Sequence, residues 1–273
     1  MLRLASVGPH EWRFVYPALY EELMARFHDG CEMFECGDDL AAEAVFRWVQ
    51  SRMPDHLDAI HHLALVLSER AELEHASDLW RLSVVVGHAA FPPEFEWGVD
   101  RLEWAILDNR PFLRCLHGHA LDVYERKHVE QALGLFRELL SLNPNDNQGA
   151  RAMALECLFH LKRWQDAFDL TMRYPDDILC ETLYGRALAL FMLDDRRLAK
   201  MALTGAAESR PLVKAELLKE KHRRPKPSSP LGVALGSAEE AYEYWQRYGR
   251  FWKKAPGALE WLRSAVEEAE TPE

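Results

Sequence analysis

Apolar residues recur along most of the chain at helical spacing, in pairs of segments that short polar turns separate. In one pair the apolar positions are Leu116, Ala120 and Val123, followed by Ala132, Phe136 and Leu139. Intervals of three and four residues place side chains on one face of an α-helix, so the pair predicts a helical hairpin. Pro144 and the Asn/Asp cluster behind it end the second helix.

The predicted hairpins share one register, with a period of roughly 34 residues. A small residue early in each second helix falls at Ala42, Ala76, Ala132, Ala167 and Ala199. A second position, small in all hairpins but one, precedes it at a constant interval, at Gly30, Ala64, Ala120, Leu155 and Ala187. Prolines take the matching place after some of the second helices, at Pro54, Pro144 and Pro211. The small residues let two helices approach closely, and the prolines end one hairpin so that the next can begin.

This period, with small contact positions and a terminal proline, resembles the tetratricopeptide repeat (TPR). The resemblance implies an all-α fold, a right-handed solenoid of antiparallel helical hairpins. A C-terminal pair of capping helices is predicted where Ser237 begins one helix and Pro256 opens the last one. We expect such a cover because a terminal repeat would otherwise expose its apolar face.

The run NPNDNQG at Asn143–Gly149 looks like a stretch found in a group of bacterial TPR proteins and in the suppressor-of-tumorigenicity-seven proteins of animals. Segments 109–114, 173–177 and 256–262 fit the same group, so the resemblance covers about residues 109–262. It implies a repeat scaffold and carries over no catalytic or ligand-binding residues.

The pattern predicts four parts of the chain. They are N-terminal repeats with an extra helix at 94–110 (1–108), central repeats (109–211), a Pro-rich extended linker or strap (212–236) and the capping helices (237–273). The fourth hairpin is the least regular, since Leu155 replaces a small residue and Pro175 cuts its second helix short. A local bend or special site is therefore predicted at 147–175.

Composition narrows the function. The chain has 273 residues, of which 48% are hydrophobic and 28% charged, with a net charge of −11. That charge is a poor match for nucleic acid or an anionic membrane, so neither is predicted as a partner. Five scattered cysteines without a CxxC motif, and a start that lacks a signal-peptide core, predict a cytoplasmic protein. The longest uncharged apolar run, Leu82 to Pro93, is too short to cross a bilayer.

Candidate chemistry is sparse. The pairs His61-His62 and His117-x-His119 do not have the i,i+4 spacing that puts two ligands on one helical face. Neither HExxH nor a GxSxG, P-loop or GxGxxG motif occurs. No enzymatic activity, cofactor or metal is predicted, and a metal-dependent enzyme around His61 and His117 is the least favoured alternative.

The concave groove of the repeats is the predicted binding surface, because the first helix of each TPR hairpin lines it. The predicted partner-binding residues are His61, Arg114, His117, Leu121, Tyr124, Glu156, Phe159, Tyr184 and Phe191. They mix aromatic, imidazole and charged groups, which suits an extended peptide or a partner helix. The function predicted is a non-catalytic scaffold or adaptor that binds a protein or peptide.

Two alternatives stay open at this point. The protein could be a regulator that senses a ligand or peptide, in which the Pro-rich strap shifts on binding. The groove could also be occupied by the strap or by the helices at 237–269.

The basic run at 219–226 is interpreted as a solvated linker or a strap over acidic repeats, with an acidic partner or nucleic acid as alternatives. The oligomeric state is left open.

Overall fold

The computed structural model describes residues 2–227 and 232–267, and within them it contains thirteen α-helices and a two-stranded antiparallel hairpin. The fold is all-α and TPR-like, as the sequence predicts. The chain divides into two compact units, Met1–Ala150 and Arg151–Glu273. This division falls at the start of the segment 147–175, where the irregular hairpin begins.

The first unit opens on a β-hairpin that the sequence analysis did not predict. Strand β1 (Arg3–Gly8) pairs with β2 (Glu11–Val15). Phe14 is fully buried, and its backbone N–H donates to the side-chain oxygen of Asn109 at 3.0 Å. The amide nitrogen of Asn109 donates back to the carbonyl of Trp12 at 3.0 Å. The hairpin is therefore fixed by a partner distant in sequence, which local spacing does not reveal.

Six helices in the first unit form three antiparallel hairpins. Their bounds are α1 Ala18–Glu35, α2 Asp39–Arg52, α3 Leu57–Glu69, α4 Leu73–His88, α5 Arg110–Glu125 and α6 Val129–Leu142. Side chains cap two of them, since Asp38 accepts from the backbone of Ala41 and His56 from that of Ala59. The small residues of the register lie buried at the helix contacts. At Gly30 an added Cβ would come within 2.7 Å of the Phe46 ring, which explains why this position is small.

The helix predicted at 94–110 is wrong. Turns and irregular backbone occupy most of this segment, followed by a 3₁₀ turn at Leu107–Asn109. Pro92 and Pro93 precede the segment, and Gly98 has a φ of 88°, which a right-handed helix does not allow. Its apolar side chains pack as a cluster instead, with Trp97 stacked on Phe91 at 4.8 Å between ring centroids.

The second unit consists of two hairpins, a short helix and a terminal pair. The helices are α7 Ala150–His160, α8 Trp164–Met172, α9 Cys180–Met192, α10 Arg196–Ser209, α11 Pro211–Leu217, α12 Ala238–Lys254 and α13 Ala258–Glu267. The predicted terminal pair is present, and Ser237 caps α12 by accepting from the backbone of Glu240. Helix α11 corrects the prediction of an extended strap from 212 onward, because Pro211 starts this helix rather than only ending α10. Part of the predicted strap, residues 228–231, and the end of the chain from 268 lie outside the described residues.

One backbone feature recurs in every hairpin turn. The residue five positions before the small residue of each second helix has a left-handed conformation, at Gly37, Ala71, Lys127, Lys162 and Asp194, with φ between 57° and 78°. Only Gly37 is a glycine, the residue type that adopts this conformation without strain. The turn geometry is therefore common to all five hairpins although the residue type is not.

Candidate functional site

A cavity of about 710 Å³ lies against α3, α4 and α5 in the first unit. Its lining residues are His61, Leu65, Ser68, Leu73, Glu74, Trp80, Arg114, His117, Gly118, Leu121, Asp122, Glu125, Arg126 and Gln148. Four of the predicted partner-binding residues, His61, Arg114, His117 and Leu121, are among them. The size is that of a site for a small ligand or for a few side chains of a partner.

Helical spacing brings this lining together. His61, Leu65 and Ser68 lie on one face of α3, and Arg114, His117 and Leu121 continue the surface on the neighbouring α5. Gly118 lets the indole of Trp80 enter between them, because a Cβ at position 118 would lie 2.6 Å from the indole nitrogen. The floor of the cavity is therefore an aromatic ring, with leucine side chains around it.

The two imidazoles of the cavity are neutral near pH 7. Burial, together with the neighbouring His62 and Arg114, lowers the pKa of His61 to about 3. The indole N–H of Trp80 donates to Nδ1 of His61 at 3.3 Å, so the proton of His61 resides on Nε2. Burial also lowers the pKa of His117. A neutral, hydrogen-bonded His61 is suited to shaping a wall and not to acid–base chemistry at physiological pH.

An internal ion pair fixes one end of the cavity. A terminal nitrogen of Arg114 lies 2.9 Å from the carboxylate of Asp58, whose side chain is only 5% exposed. The hydroxyl of Tyr20 donates to the other oxygen of Asp58 at 3.3 Å. Burial and the adjacent Asp58 raise the pKa of Tyr20 above its usual range, so it stays a hydrogen-bond donor. The charge of Arg114 is therefore compensated by the protein itself.

The other end is acidic. Arg126 donates to Asp122 at 3.1 Å, to Glu74 at 2.8 Å and to the carbonyl of Leu73 at 2.8 Å. Asp122 also accepts from the hydroxyl of Ser77 at 2.6 Å. Glu125 also lines this rim and pairs with Lys127 at 3.6 Å. Glu74 and Glu125 are mostly exposed, so they can also meet a cation from outside.

Tyr124 does not line the cavity. It lies on the same helix but is buried, with the Lys127 ammonium 5.9 Å from its ring centroid. Sequence reasoning placed it in the groove by counting positions, whereas its side chain faces the protein interior. Conversely, Trp80 and the Arg126 cluster belong to the site but were not predicted there. The i,i+4 spacing of Asp122 and Arg126 is the sequence signal that marks the cluster.

The remaining four predicted residues lie in the second unit, where the chain's own helices cover them. Glu156 pairs with Arg247 at 2.8 Å and Arg250 at 2.5 Å, both from α12. Phe159 and Tyr184 also contact α12, and Phe191 contacts Trp261 of α13, with ring centroids 4.6 to 6.4 Å apart. All four are buried. The prediction of an open groove at these four positions is therefore corrected: their partner is internal.

Metal binding and membrane insertion are two other functions to consider for the described residues. No group of three or more His, Cys, Asp or Glu residues in them is arranged to hold a metal ion. No helix among them is both long and apolar enough to cross a membrane.

Comparisons with known proteins place these features in a family. A family model described as transcriptional repressor TCF25 matches residues 12–272. "Probable transcription factor claV" of Ampulloclitocybe clavipes is 30% identical over an alignment of 169 residues that takes in 53% of this chain. The chain spans only 21% of the length of that relative.

Solved structures agree on the fold. The apo form of RapI superposes with a TM-score of 0.53 at 12% identity, covering 91% of this chain and 97% of RapI. A TPR protein from Parabacteroides merdae gives 0.52 at 15% identity, covering 92% and 86%. YrrB, described as a TPR protein with an unusual peptide-binding site, gives 0.51 at 13% identity, covering 68% and 85%. The matches named here include no suppressor-of-tumorigenicity-seven protein, so the resemblance of 109–262 to that group stays a prediction.

Proposed function

The chain belongs to the family described as transcriptional repressor TCF25, and we propose that it is a non-catalytic helical-repeat scaffold that binds a protein partner through the cavity of its first unit. The observation that carries this proposal is the cavity itself. It lies on consecutive first helices of the repeats, where TPR grooves are found, and it combines an aromatic floor with an acidic rim. Within the described part of the chain this space stays open.

The second unit supplies a model for the occupant. There an amphipathic helix, α12, lies on the groove-facing residues of α7 and α9. The groove position directly after the first register position of each hairpin can be compared: it is Cys31, Leu65 and Leu121 in the first unit and Glu156 and Leu188 in the second. Where α12 presents arginines to Glu156, a partner of the first unit would present an apolar side chain to Leu65 and Leu121. Its flanking lysines or arginines would meet Glu74 and Glu125.

The proposed partner is therefore an amphipathic helix with a large apolar anchor and a basic flank. The family description supports a role in transcriptional regulation and favours the nucleus over the cytoplasmic location predicted from sequence. That YrrB is described as having a peptide-binding site supports peptide recognition by this fold. A regulator whose Pro-rich segment shifts on binding remains the second candidate. The neutral imidazoles of His61 and His117 lend no support to a catalytic role.

A peptide selection tests the proposal. Displayed helical peptides that vary in their apolar anchor and in their Lys/Arg flanks are selected on the full chain, and the best are measured by titration. We expect enriched peptides to carry the anchor and the basic flank. We expect Leu121→Gln to weaken them by about tenfold or more, because the anchor loses its apolar wall.

Leu40→Gln is the matched control, since Leu40 is exposed on α2 outside the cavity. The thermal midpoints of both variants are compared with that of the parent chain to exclude unfolding. Selected peptides that bind Leu121→Gln and Leu40→Gln equally well, with both variants folded, would overturn the proposal.

A further inference from the structure

A second surface carries charge of the opposite sign to the protein as a whole. Residues 219–227, the basic strap, have the sequence KEKHRRPKP, whereas the net charge of the chain is −11. Lys221, Arg223, Arg224 and Lys226 are exposed, and no ion pair joins them to the described residues. The strap also contains Glu220, but its charge balance is basic, and exposed cations outside ion pairs are unusual in an acidic protein because nearby carboxylates would normally attract them.

The backbone of the strap is also available. From residue 222 to 227 it is in neither helix nor strand, and after Lys219 it makes no backbone hydrogen bond with the described residues. Pro225 and Pro227 lack an N–H and favour an extended conformation for themselves and for the residues before them. A partner can therefore contact both the side chains and the peptide groups of the strap.

One residue anchors the strap to the second unit. The ring of His222 stacks on Trp245 of α12 at 3.7 Å with an interplanar angle of 13°. Nδ1 of His222 lies 2.9 Å from a carboxylate oxygen of Glu216, and the His222 side chain is only 6% exposed. Lys219 pairs with the same carboxylate. The strap is therefore held at its start, with the four cations presented around and beyond the anchor.

We propose that the basic strap is a docking segment for the acidic groove of a partner protein that binds extended Lys/Arg-rich peptides, the chemistry of a nuclear import receptor. In an extended chain alternate residues face opposite sides, so Lys221 and Arg223 share one side and Arg224 and Lys226 the other. A groove with acidic walls can contact both sides and the peptide groups between them. This interaction is separate from the partner binding proposed for the first unit.

Single-stranded nucleic acid fits the strap less well. Its binding sites combine basic residues with aromatic rings on which bases stack. The aromatic ring that the strap contacts, Trp245, is covered by His222, and the Lys253 ammonium lies 5.5 Å from its centroid. In addition, the net charge of −11 opposes the approach of a long polyanion or an anionic membrane.

A binding assay on the full chain tests this inference. The chain is labelled at Cys36, which is exposed, in a Cys31→Ser background because Cys31 is only partly buried, whereas Cys115, Cys157 and Cys180 are buried. The probes are a purified import adaptor with an acidic peptide groove, duplex DNA, single-stranded RNA and phosphatidylserine vesicles. We expect saturable binding to the adaptor, weakened by about tenfold or more in Arg223→Ala/Arg224→Ala, because two charge-assisted contacts are lost.

The control is Arg26→Ala/Arg197→Ala, which removes the same charge from exposed positions on α1 and α10. This variant should bind the adaptor as the parent chain does. Leu121→Gln should also bind it normally, so the strap can be tested independently of the cavity proposed as the binding site in the first unit. Equal adaptor binding by both double variants would overturn the inference. So would strap-dependent binding to RNA, DNA or vesicles that is tighter than binding to the adaptor.

Discussion

The two units use the inner face of the same kind of repeat in different ways. In the first, α3 and α5 border an open cavity with an apolar floor. In the second, the corresponding residues of α7 and α9 are buried under α12 and α13. At the register position where Leu65 and Leu121 border the cavity, the second unit has Glu156 and Leu188, and Glu156 pairs with Arg247 of α12. Repeats of the same hairpin architecture can thus have a groove that stays open or a groove that the chain's own helices cover.

The largest expected effect comes from opening the filled groove. Trp252 is fully buried, donates its indole N–H to the hydroxyl of Tyr244 at 3.0 Å and lies against Tyr184 and Trp261. We expect Trp252→Ala to lower the free energy of unfolding by about 4 kcal/mol, since it removes a large core side chain. Chemical denaturation measures this loss.

The matched control is Trp48→Ala, since Trp48 is partly exposed on α2. It should cost about 1 kcal/mol or less. If the two substitutions cost the same, then α12 does not depend on its aromatic face for docking, and the contrast between a filled and an open groove fails.

A smaller loss of stability is expected from adding a methyl group beside Trp80, which lines the cavity. In Gly118→Ala the new methyl group would overlap the indole of Trp80, so the indole must shift and its hydrogen bond to His61 is disturbed. We expect a cost of about 2 kcal/mol from this overpacking, and a shifted indole N–H resonance of Trp80 in NMR spectra.

Gly134→Ala is the comparison for Gly118→Ala. Gly134 lies inside α6, and an added Cβ there would contact nothing within 4 Å. This substitution should stabilise the protein by about 0.5–1 kcal/mol, because alanine favours the helix. An unchanged Trp80 resonance in Gly118→Ala would show that the cavity floor is not built as described.

The smallest effect is the pH dependence of stability that arises from the neutral imidazole of His61 in the cavity. Its pKa is about 3 in the folded chain, against the ordinary value of 6.5. Between these values the unfolded chain binds a proton that the folded chain does not, so the stabilisation is complete above pH 6.5 and decreases as the pH falls toward 3. Between pH 6.5 and 5.5 this amounts to about 1 kcal/mol.

The measurement compares unfolding free energies at pH 7 and pH 5.5 for the parent chain and for His61→Gln. The variant should lose less stability on acidification, by about 1 kcal/mol. His75→Gln, at an exposed histidine outside the cavity, is the control and should behave like the parent. Identical pH dependence in all three would contradict the burial of a neutral imidazole in the cavity.

The helical hairpins could be predicted from the sequence because their determinants are local. Ala132 and Phe136 mark one helix face, and Pro144 marks its end, all within a few turns. The β-hairpin could not be predicted in this way, since Phe14 depends on Asn109, more than ninety residues later. The helix predicted at 94–110 followed apolar spacing, whereas the positive φ of Gly98 interrupts a right-handed helix.

The site was predictable in part for the same reason. The register places His61, Arg114, His117 and Leu121 on one surface, and they do line the cavity. Glu156 and Tyr184 occupy the same positions within their repeats as Leu121 and His117 do. The position within a repeat does not reveal whether another helix covers the residue. That α12 covers them follows from its own aromatic side chains and from Arg247, which recognise residues far away in sequence.

The left-handed residue in each hairpin turn has a consequence for how such proteins diverge. Glycine is the residue type expected at a left-handed turn position, yet Ala71, Lys127, Lys162 and Asp194 adopt the same conformation as Gly37. Backbone hydrogen bonds within the turns, such as those from the N–H of Ala71 to Ser68 and of Lys127 to Tyr124, accompany this conformation in residues other than glycine. A search of related genomes that required glycine at this column would find one hairpin of the five, whereas a search that scored backbone geometry would find them all.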